Sequence, residues 1–192
     1  MANTVKKLVT ITAPSGAGKS SITHYLLKQF PELAFSVSAT TRAQRGTETD
    51  GKDYYFLELP DFLQKVENKL FLEYEMVYPG KYYGTLKSEL DRIWDAGKIP
   101  ILDIDVQGAM KVREIFATNA LYVFIAPPSL EELKKRLIHR GTETQENVET
   151  RLKKANYELS FQSHFDKTIV NKDLDKACKQ TAKLVKTFLE KT

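Results

Sequence analysis

The sequence predicts an α/β fold in which helices flank a central parallel sheet and a small mixed-β segment is inserted. Two observations predict this fold. Short apolar runs that could be buried on both faces alternate with stretches that have the roughly 3.6-residue apolar period of helices. A glycine-rich segment, residues 13–20, separates the first apolar run from the first helical stretch. We expect one domain, because a chain of 192 residues can bury a single substantial core.

The predicted elements follow one another in a strand–helix alternation. The predicted strands are the apolar runs Leu8–Thr12, Phe35–Ser38, Ile99–Val106, Leu121–Ala126 and Thr168–Val170. The predicted helices are Ser20–Phe30, Leu86–Trp94, Ala109–Ala117, Leu130–Ile138, Asn147–Phe161 and Leu174–Leu189. Two segments interrupt the alternation. Residues 38–85 are rich in tyrosine, glycine and charge and predict the mixed-β insertion, whereas residues 136–151, polar and arginine-bearing, predict a lid.

Composition and charge are those of an ordinary globular protein, with 42% hydrophobic and 28% charged residues. The net charge of +4 suits an anionic small molecule, although surface lysines alone would also produce it. The sequence has no dense basic stripe of the kind that binds nucleic acid. It also has no run that approaches the ~20 apolar residues of a membrane-spanning helix. The single cysteine, Cys178, cannot form an internal disulfide, so we expect a cytoplasmic protein and a buried thiol.

The segment Ala13–Ser20 reads APSGAGKS and has the spacing of a phosphate-binding loop. It follows a predicted strand and opens a predicted helix, whose N-terminus carries partial positive charge. Lys19 would reach the β- and γ-phosphates of a nucleotide, and the Ser20 hydroxyl could ligate Mg²⁺. Backbone N–H groups would cradle the phosphates at Ser15, Gly16, Ala17 and Gly18. The alternative is an ordinary glycine-containing turn, since Ala13 stands where the motif usually begins with glycine.

Two carboxylates end the apolar run that begins at Ile99. Asp103 and Asp105 are two residues apart and would share one face of a strand. Acidic residues are rare at the ends of buried strands, and one reason for them is to hold Mg²⁺ through water beside a phosphate loop. Alternatively, they cap the next helix or pair with arginines.

Two groups of arginines are candidates for phosphate binding. Arg42 and Arg45 occur in one loop, and their guanidinium groups match the geometry of phosphate oxygens. Arg136 and Arg140 are four residues apart and would lie on one helix face. Considered alone, each group is as readily explained as solvated surface charge.

Eight segments occur in order from about Leu8 to Asp175, and they read APSGAGKS, SATTRAQRG, GKDY, FLEY, YYGT, ILDIDVQG, RGTETQENVETR and IVNKDLD. This series resembles guanylate kinase, of the nucleoside monophosphate kinases. The resemblance implies a P-loop NTPase-type core formed by residues 1–36, 88–135 and 158–192. It implies a GMP-binding insert at 37–87, a helical lid at 136–157, and reversible Mg²⁺-dependent phosphoryl transfer from ATP to GMP.

The resemblance also implies roles for single residues. Around the phosphate of GMP it places Arg42, Arg45, Tyr54 and Tyr83. Around guanine it places Ser38, Glu73, Thr85 and Asp105. It implies that Arg136, Arg140 and Arg151 close over ATP and the transferring phosphoryl group. It implies that Asn171 lies near the adenine. It also implies that Lys19 is catalytic together with the three arginines, and that Asp103 holds Mg²⁺ through water.

The chemistry of guanine supports the role of Glu73. Guanine presents adjacent N1–H and N2–H₂ donors, which a carboxylate can accept with its two oxygens. Adenine has an acceptor at N1 and would leave a buried carboxylate unpaired, a mismatch that discriminates on the order of 10⁴-fold. Considered alone, Glu73 could be a surface carboxylate and Tyr83 a core aromatic.

Two other functions stay open at this point. Guanylate kinase-like domains of scaffold proteins bind phosphorylated partners without catalysis, but such domains lack the intact phosphate loop and lid arginines that this chain keeps. Another nucleoside monophosphate kinase would share the architecture, and Glu73 with its neighbouring motifs argues against it. We expect small-molecule substrates and neither nucleic acid nor membrane as partners; the sequence does not predict the oligomeric state.

Overall fold

The computed structural model describes residues 6–139 and 145–190. Its strands are β1 Leu8–Thr12, β2 Leu33–Phe35, β3 Ala39–Thr40, β4 Tyr55–Phe56, β5 Phe71–Tyr78, β6 Lys81–Leu86, β7 Ile99–Asp103, β8 Ala120–Ala126 and β9 Lys167–Val170. Its helices are α1 Lys19–Gln29, α2 Leu59–Glu67, α3 Lys87–Asp95, α4 Val106–Phe116, α5 Leu130–His139, α6 Gln145–Leu159 and α7 Leu174–Leu189. Short 3₁₀ turns occur at Ala117–Asn119 and Gln162–His164.

Five strands form a wholly parallel sheet in the order β2-β7-β1-β8-β9. β1 is central, and its residue Ile11 is in register with Asp103 of β7 and Val123 of β8. The loop after β1 therefore opens at the carboxyl edge of the sheet, where sheets of this kind bind their ligands. The predicted α/β fold with a parallel sheet is confirmed.

The two faces of this sheet bury separate clusters, because alternate residues of a strand point to opposite sides. Val9 and Ile11 face α1 and α7, and this cluster includes the buried Cys178. Leu8 and Tyr122 face the other way, toward apolar residues of α3 and α4. Both faces of the sheet are thus covered by helices, as the apolar runs predict. No helix in the described part of the chain is both long and apolar enough to cross a membrane.

A second sheet has the order β4-β3-β6-β5 and is mixed, since β3 and β4 are parallel and the other pairs antiparallel. The predicted mixed-β insertion is confirmed. It also contains α2, which the sequence does not predict. The ring of Phe62 in α2 is buried and stacks on Phe71 with centroids 4.4 Å apart. Tyr82 packs against Phe62 at 5.5 Å, so it belongs to the core of the insertion.

Three predicted boundaries are wrong by several residues, for physical reasons. β2 ends at Phe35, and the N–H of Val37 donates a hydrogen bond of 3.0 Å to the carboxylate of Glu89 on α3. β7 ends at Asp103 because the carboxylate of Asp105 accepts a hydrogen bond of 2.9 Å from the Gly108 N–H and caps α4. Helix α4 consequently begins at Val106 and not at Ala109.

Candidate functional site

The glycine-rich segment forms a tight loop between β1 and α1. Gly16 and Gly18 have φ angles of +89° and +98°, in the left-handed region that favours glycine. The N–H of Ala17 donates a hydrogen bond of 3.0 Å to the carbonyl of Pro14 and closes the turn. Ala13 is buried and has no positive φ. An alanine at the first position of the motif therefore introduces no backbone strain.

A buried side chain fastens this loop to the end of β9. The Asn171 amide donates a hydrogen bond of 2.8 Å to the carbonyl of Ala17, and a Cβ added at Gly18 would collide with the same amide. The main-chain carbonyl of Asn171 accepts a hydrogen bond of 3.0 Å from Arg136. Arg136 also donates to Glu132 within α5. Asn171 thus connects the phosphate loop to an arginine of the predicted lid.

Lys19, at the start of α1, forms an ion pair with Asp103 at the end of β7. Burial alone would lower the pKa of Lys19, but the carboxylate of Asp103 more than offsets this effect and raises it. Lys19 therefore remains a cation at neutral pH, held at the carboxyl edge of the sheet. The hydroxyl group of Ser20 is exposed beside it.

A cavity of about 290 Å³ lies between the phosphate loop, the end of β7 and the β5–β6 hairpin. The predicted site residues that line it are Ser15, Gly16, Gly18, Lys19, Ser20, Ser38, Tyr54, Glu73, Tyr83, Asp103, Asp105 and Arg151. Residues expected to hold a nucleoside triphosphate and residues expected to hold a nucleoside monophosphate therefore face the same space. Such an arrangement can bring two phosphate groups together.

Glu73 is a deeply buried acid of this cavity, with 5% of its surface exposed. Its Oε1 accepts a hydrogen bond of 2.6 Å from the hydroxyl of Thr85, its partner on β6. Burial, helped by the neighbouring carboxylate of Asp105 and opposed by the Thr85 hydrogen bond, raises the pKa of Glu73 to about 7. A Cβ at Gly108 would lie 2.6 Å from Oε2 of Glu73, so a larger residue there would displace this carboxylate.

Arg42 is buried and engaged within the insertion, with 7% of its surface exposed. Its guanidinium forms two hydrogen bonds of 2.7 Å with the carboxylate of Glu48. It also lies 4.9 Å from the centre of the Tyr54 ring, which meets Tyr83 edge to face at 6.0 Å. The side chain of Arg45 is exposed, and its N–H donates 2.8 Å to Glu48. Arg42 is therefore not a solvated surface charge.

The other predicted lid residues divide between α6 and the part of the chain outside the description. Arg151 on α6 donates a hydrogen bond of 2.9 Å to the hydroxyl of Ser15 in the phosphate loop. Arg140 lies outside the described residues. Helix α6 is thus in direct contact with the loop that would hold ATP.

Among the described residues, the predicted ones that do not line the cavity are Ala17, Arg42, Arg45, Thr85, Arg136 and Asn171. The cavity also has lining residues that the sequence reasoning missed, among them Glu75, Tyr78, Lys154 and Glu158. The spacing of 151, 154 and 158 is that of a single helix face. This spacing is the signal that could have linked Lys154 and Glu158 to the predicted Arg151.

Within residues 6–139 and 145–190, no group of three or more histidine, cysteine, aspartate or glutamate side chains is arranged to hold a metal ion. The oxygen groups that line the cavity at the phosphate loop include the Ser20 hydroxyl and the Asp103 carboxylate. This small set suits Mg²⁺, which usually keeps several waters and binds substrate phosphates in place of a complete protein cage.

Comparisons with known proteins identify the family of the chain. A family model described as guanylate kinase matches residues 5–189. The guanylate kinase of Bacteroides fragilis is 47% identical to the chain, and the match covers 95% of this chain and 90% of that protein. The guanylate kinase of Salinibacter ruber is also 47% identical, and the match covers 96% of this chain and 97% of that protein. The crystal structure of guanylate kinase from Anaplasma phagocytophilum matches with a TM-score of 0.80 at 32% identity, over 99% of this chain and 89% of that one. The chain therefore belongs to the guanylate kinase family.

Proposed function

We propose that the residues around this single cavity carry out the activity of the family, the transfer of the γ-phosphoryl group of ATP to GMP to give ADP and GDP. The observation that carries the proposal is that the phosphate loop and the buried carboxylate of Glu73 line the same cavity. One end of the cavity suits a polyphosphate and the other suits a base with two adjacent donors. The two substrates of a phosphotransferase need such a pair of sites.

ATP would bind with its phosphates on the loop of residues 15–20. The positive φ angles of Gly16 and Gly18 let the backbone curl around an anion, and the start of α1 adds partial positive charge. Lys19 is already a cation at this point. Arg151, in contact with Ser15, would add a second charge, and Arg136 and Arg140 would complete the set. Asn171 would act near the adenine.

GMP would bind in the insertion, with guanine against Glu73. Thr85 holds one oxygen of the carboxylate and the other lies beside Gly108, and the two oxygens would accept the N1–H and N2–H₂ donors. Ser38 and Asp105 would complete the base site. The phosphate of GMP would meet Arg42, Arg45, Tyr54 and Tyr83, with Glu48 holding Arg42 in position.

Mg²⁺ would be held by the Ser20 hydroxyl and, through water, by Asp103. When bound, it would neutralise charge on the phosphates of ATP. Because Asp103 is paired with Lys19, the same carboxylate also fixes the ammonium group that would face those phosphates.

The chain's own part in the reaction is positioning and charge neutralisation. The attacking oxygen of GMP is already anionic, so no side chain has to act as a general base. Lys19 and the three arginines would stabilise the charge that spreads over the transferring group. Closure of the lid over the cavity would exclude water, which would otherwise hydrolyse ATP. With a lone buried thiol, the protein suits the cytoplasm, and its partners are the small molecules ATP and GMP.

Label transfer tests this function. ATP labelled at the γ-phosphate is incubated with GMP and Mg²⁺, and the label should appear in GDP. Lys19→Ala should reduce kcat by about 10³-fold or more, while the exposed Lys28→Ala at the end of α1 should not change it. A folded Lys19→Ala variant with near-normal kcat would contradict the assignment.

A further inference from the structure

Helix α6 reaches both sides of the cavity through two side chains that are one turn apart. Arg151 donates a hydrogen bond of 2.9 Å to Ser15 in the phosphate loop. Lys154 extends the other way, to the end of strand β5 in the insertion. Its ammonium donates to the main-chain carbonyl of Val77 at 3.4 Å and lies 5.0 Å from the centre of the Tyr78 ring. One rigid helix therefore connects the donor side of the cavity with the acceptor side.

Two carboxylates hold the same ammonium group between these elements. Lys154 Nζ lies 3.9 Å from Asp105 at the start of α4 and 3.8 Å from Glu158 on the next turn of α6. Glu158 is buried, which raises its pKa to about 7, and Lys154 opposes this rise. A buried carboxylate that loses its cation is strongly destabilised. The charges around Lys154 therefore restrict it to its position between α6 and the insertion.

We propose that Lys154 is a positioning residue that couples the insertion to helix α6, so that GMP binding tightens the hold of the phosphate loop on ATP. This inference rests on the proposed function. GMP would order the insertion, whose β5 end contacts Lys154 at Val77 and Tyr78. Through Lys154 the ordered insertion would restrict the motion of α6, and through Arg151 helix α6 would restrict the motion of Ser15 in the phosphate loop. Coupling of this kind is reciprocal, so ATP tightens the binding of GMP by the same factor.

Calorimetry of a non-hydrolysable ATP analogue, with and without saturating GMP, measures this coupling. The proteins are the wild type, Lys154→Met, Lys154→Arg and Lys153→Met. Lys153 is exposed on the same helix, so Lys153→Met makes the same charge change as a matched control. We expect GMP to tighten analogue binding about tenfold in the wild type and in Lys153→Met, and less than about twofold in Lys154→Met. Lys154→Arg should keep most of the coupling, because arginine retains the charge and stacks on tyrosine.

The kinetic counterpart is a rise of about tenfold in KM for GMP in Lys154→Met, with KM for ATP at low GMP unchanged. Equal coupling in Lys154→Met and Lys153→Met would overturn the inference, as would an absence of coupling in the wild type. Weaker analogue binding in Lys154→Met without GMP would also overturn it, since that points to general damage of the donor site. The failures are distinguishable: a wild type that does not phosphorylate GMP refutes the proposed function, whereas an active wild type without Lys154-dependent coupling refutes this inference alone.

Discussion

The hydroxyl of Thr85 donates a hydrogen bond of 2.6 Å to the carboxylate of Glu73, and the two residues are paired across strands β6 and β5. The other carboxylate oxygen lies so close to Gly108 that a Cβ there would be 2.6 Å away. The Thr85 hydroxyl therefore holds one oxygen of this carboxylate in place, and the other oxygen lies beside α4. A pre-organised pair of acceptors is what a planar base with two donors needs for selective binding.

Glu73→Gln should weaken GMP binding selectively. Glutamine keeps the shape of the side chain, but it removes the charge and one of the two acceptors. Losing a charge-assisted hydrogen bond costs about 2 kcal/mol, so we expect KM for GMP to rise about 30-fold in steady-state assays. KM for ATP should stay within about twofold, and so should both constants in the exposed control Glu67→Gln. An unchanged KM for GMP would contradict the role of Glu73.

KM for GMP should rise as the pH falls below about 7. Burial raises the pKa of Glu73 to about 7, and guanine requires the deprotonated carboxylate. We expect KM to increase about tenfold per pH unit below the pKa and to level off above it. Because the phosphate of GMP also titrates, Glu73→Gln serves as the reference, and its profile should be flatter. Superimposable profiles for the two proteins would refute this prediction.

Glu73→Gln should also stabilise the ligand-free protein in alkaline solution. The pKa of Glu73 is raised from 4.5 to about 7 in the folded state, so folding favours the protonated form, and stability falls as the pH rises from 4.5 to about 7 and then levels off. Glutamine avoids this penalty. In urea unfolding, Glu73→Gln should gain at most about 3 kcal/mol at pH 8 and almost nothing near pH 4. A gain that is independent of pH would point to packing and not to ionisation.

Asn171→Ala should impair the ATP side of the cavity. The variant loses the hydrogen bond of 2.8 Å to Ala17 and leaves a buried carbonyl unpaired, which costs about 1–2 kcal/mol. The phosphate loop should become less ordered, so we expect KM for ATP to rise about tenfold while KM for GMP changes little. Asn156→Ala, at an exposed position of α6, is the control. Equal increases in both KM values would argue against a specific role in holding the loop.

The parts of the fold and site that could be predicted from the sequence have local signals. Leu8–Thr12 is a continuous apolar run, and β1 has those bounds. The glycines of the loop are compatible with the positive φ angles found at Gly16 and Gly18. The assignment of Glu73 to the GMP site came from the resemblance to guanylate kinase. In the structure, Glu73 and the phosphate loop line the same cavity.

The parts that could not be predicted depend on contacts between distant segments. β2 ends early because Val37 bonds to Glu89, 52 residues further along the chain. Arg42 is buried because the insertion brings Glu48 and the Tyr54 ring to it. Lys154 has the sequence context of a solvated helix face, where Glu158 is its local partner. Its contacts with Asp105, Val77 and Tyr78 arise only from the packing of distant segments. Local periodicity carries no information about such contacts.

An ADP-release assay with ATP, Mg²⁺ and each of GMP, AMP, CMP and UMP tests the central claim most directly, because it examines the phosphate loop and the Glu73 pocket together. We predict rapid ADP formation with GMP alone. Rapid turnover with another monophosphate would contradict the assignment of Glu73 to guanine. No turnover with any of the four, from folded protein, would contradict the account as a whole.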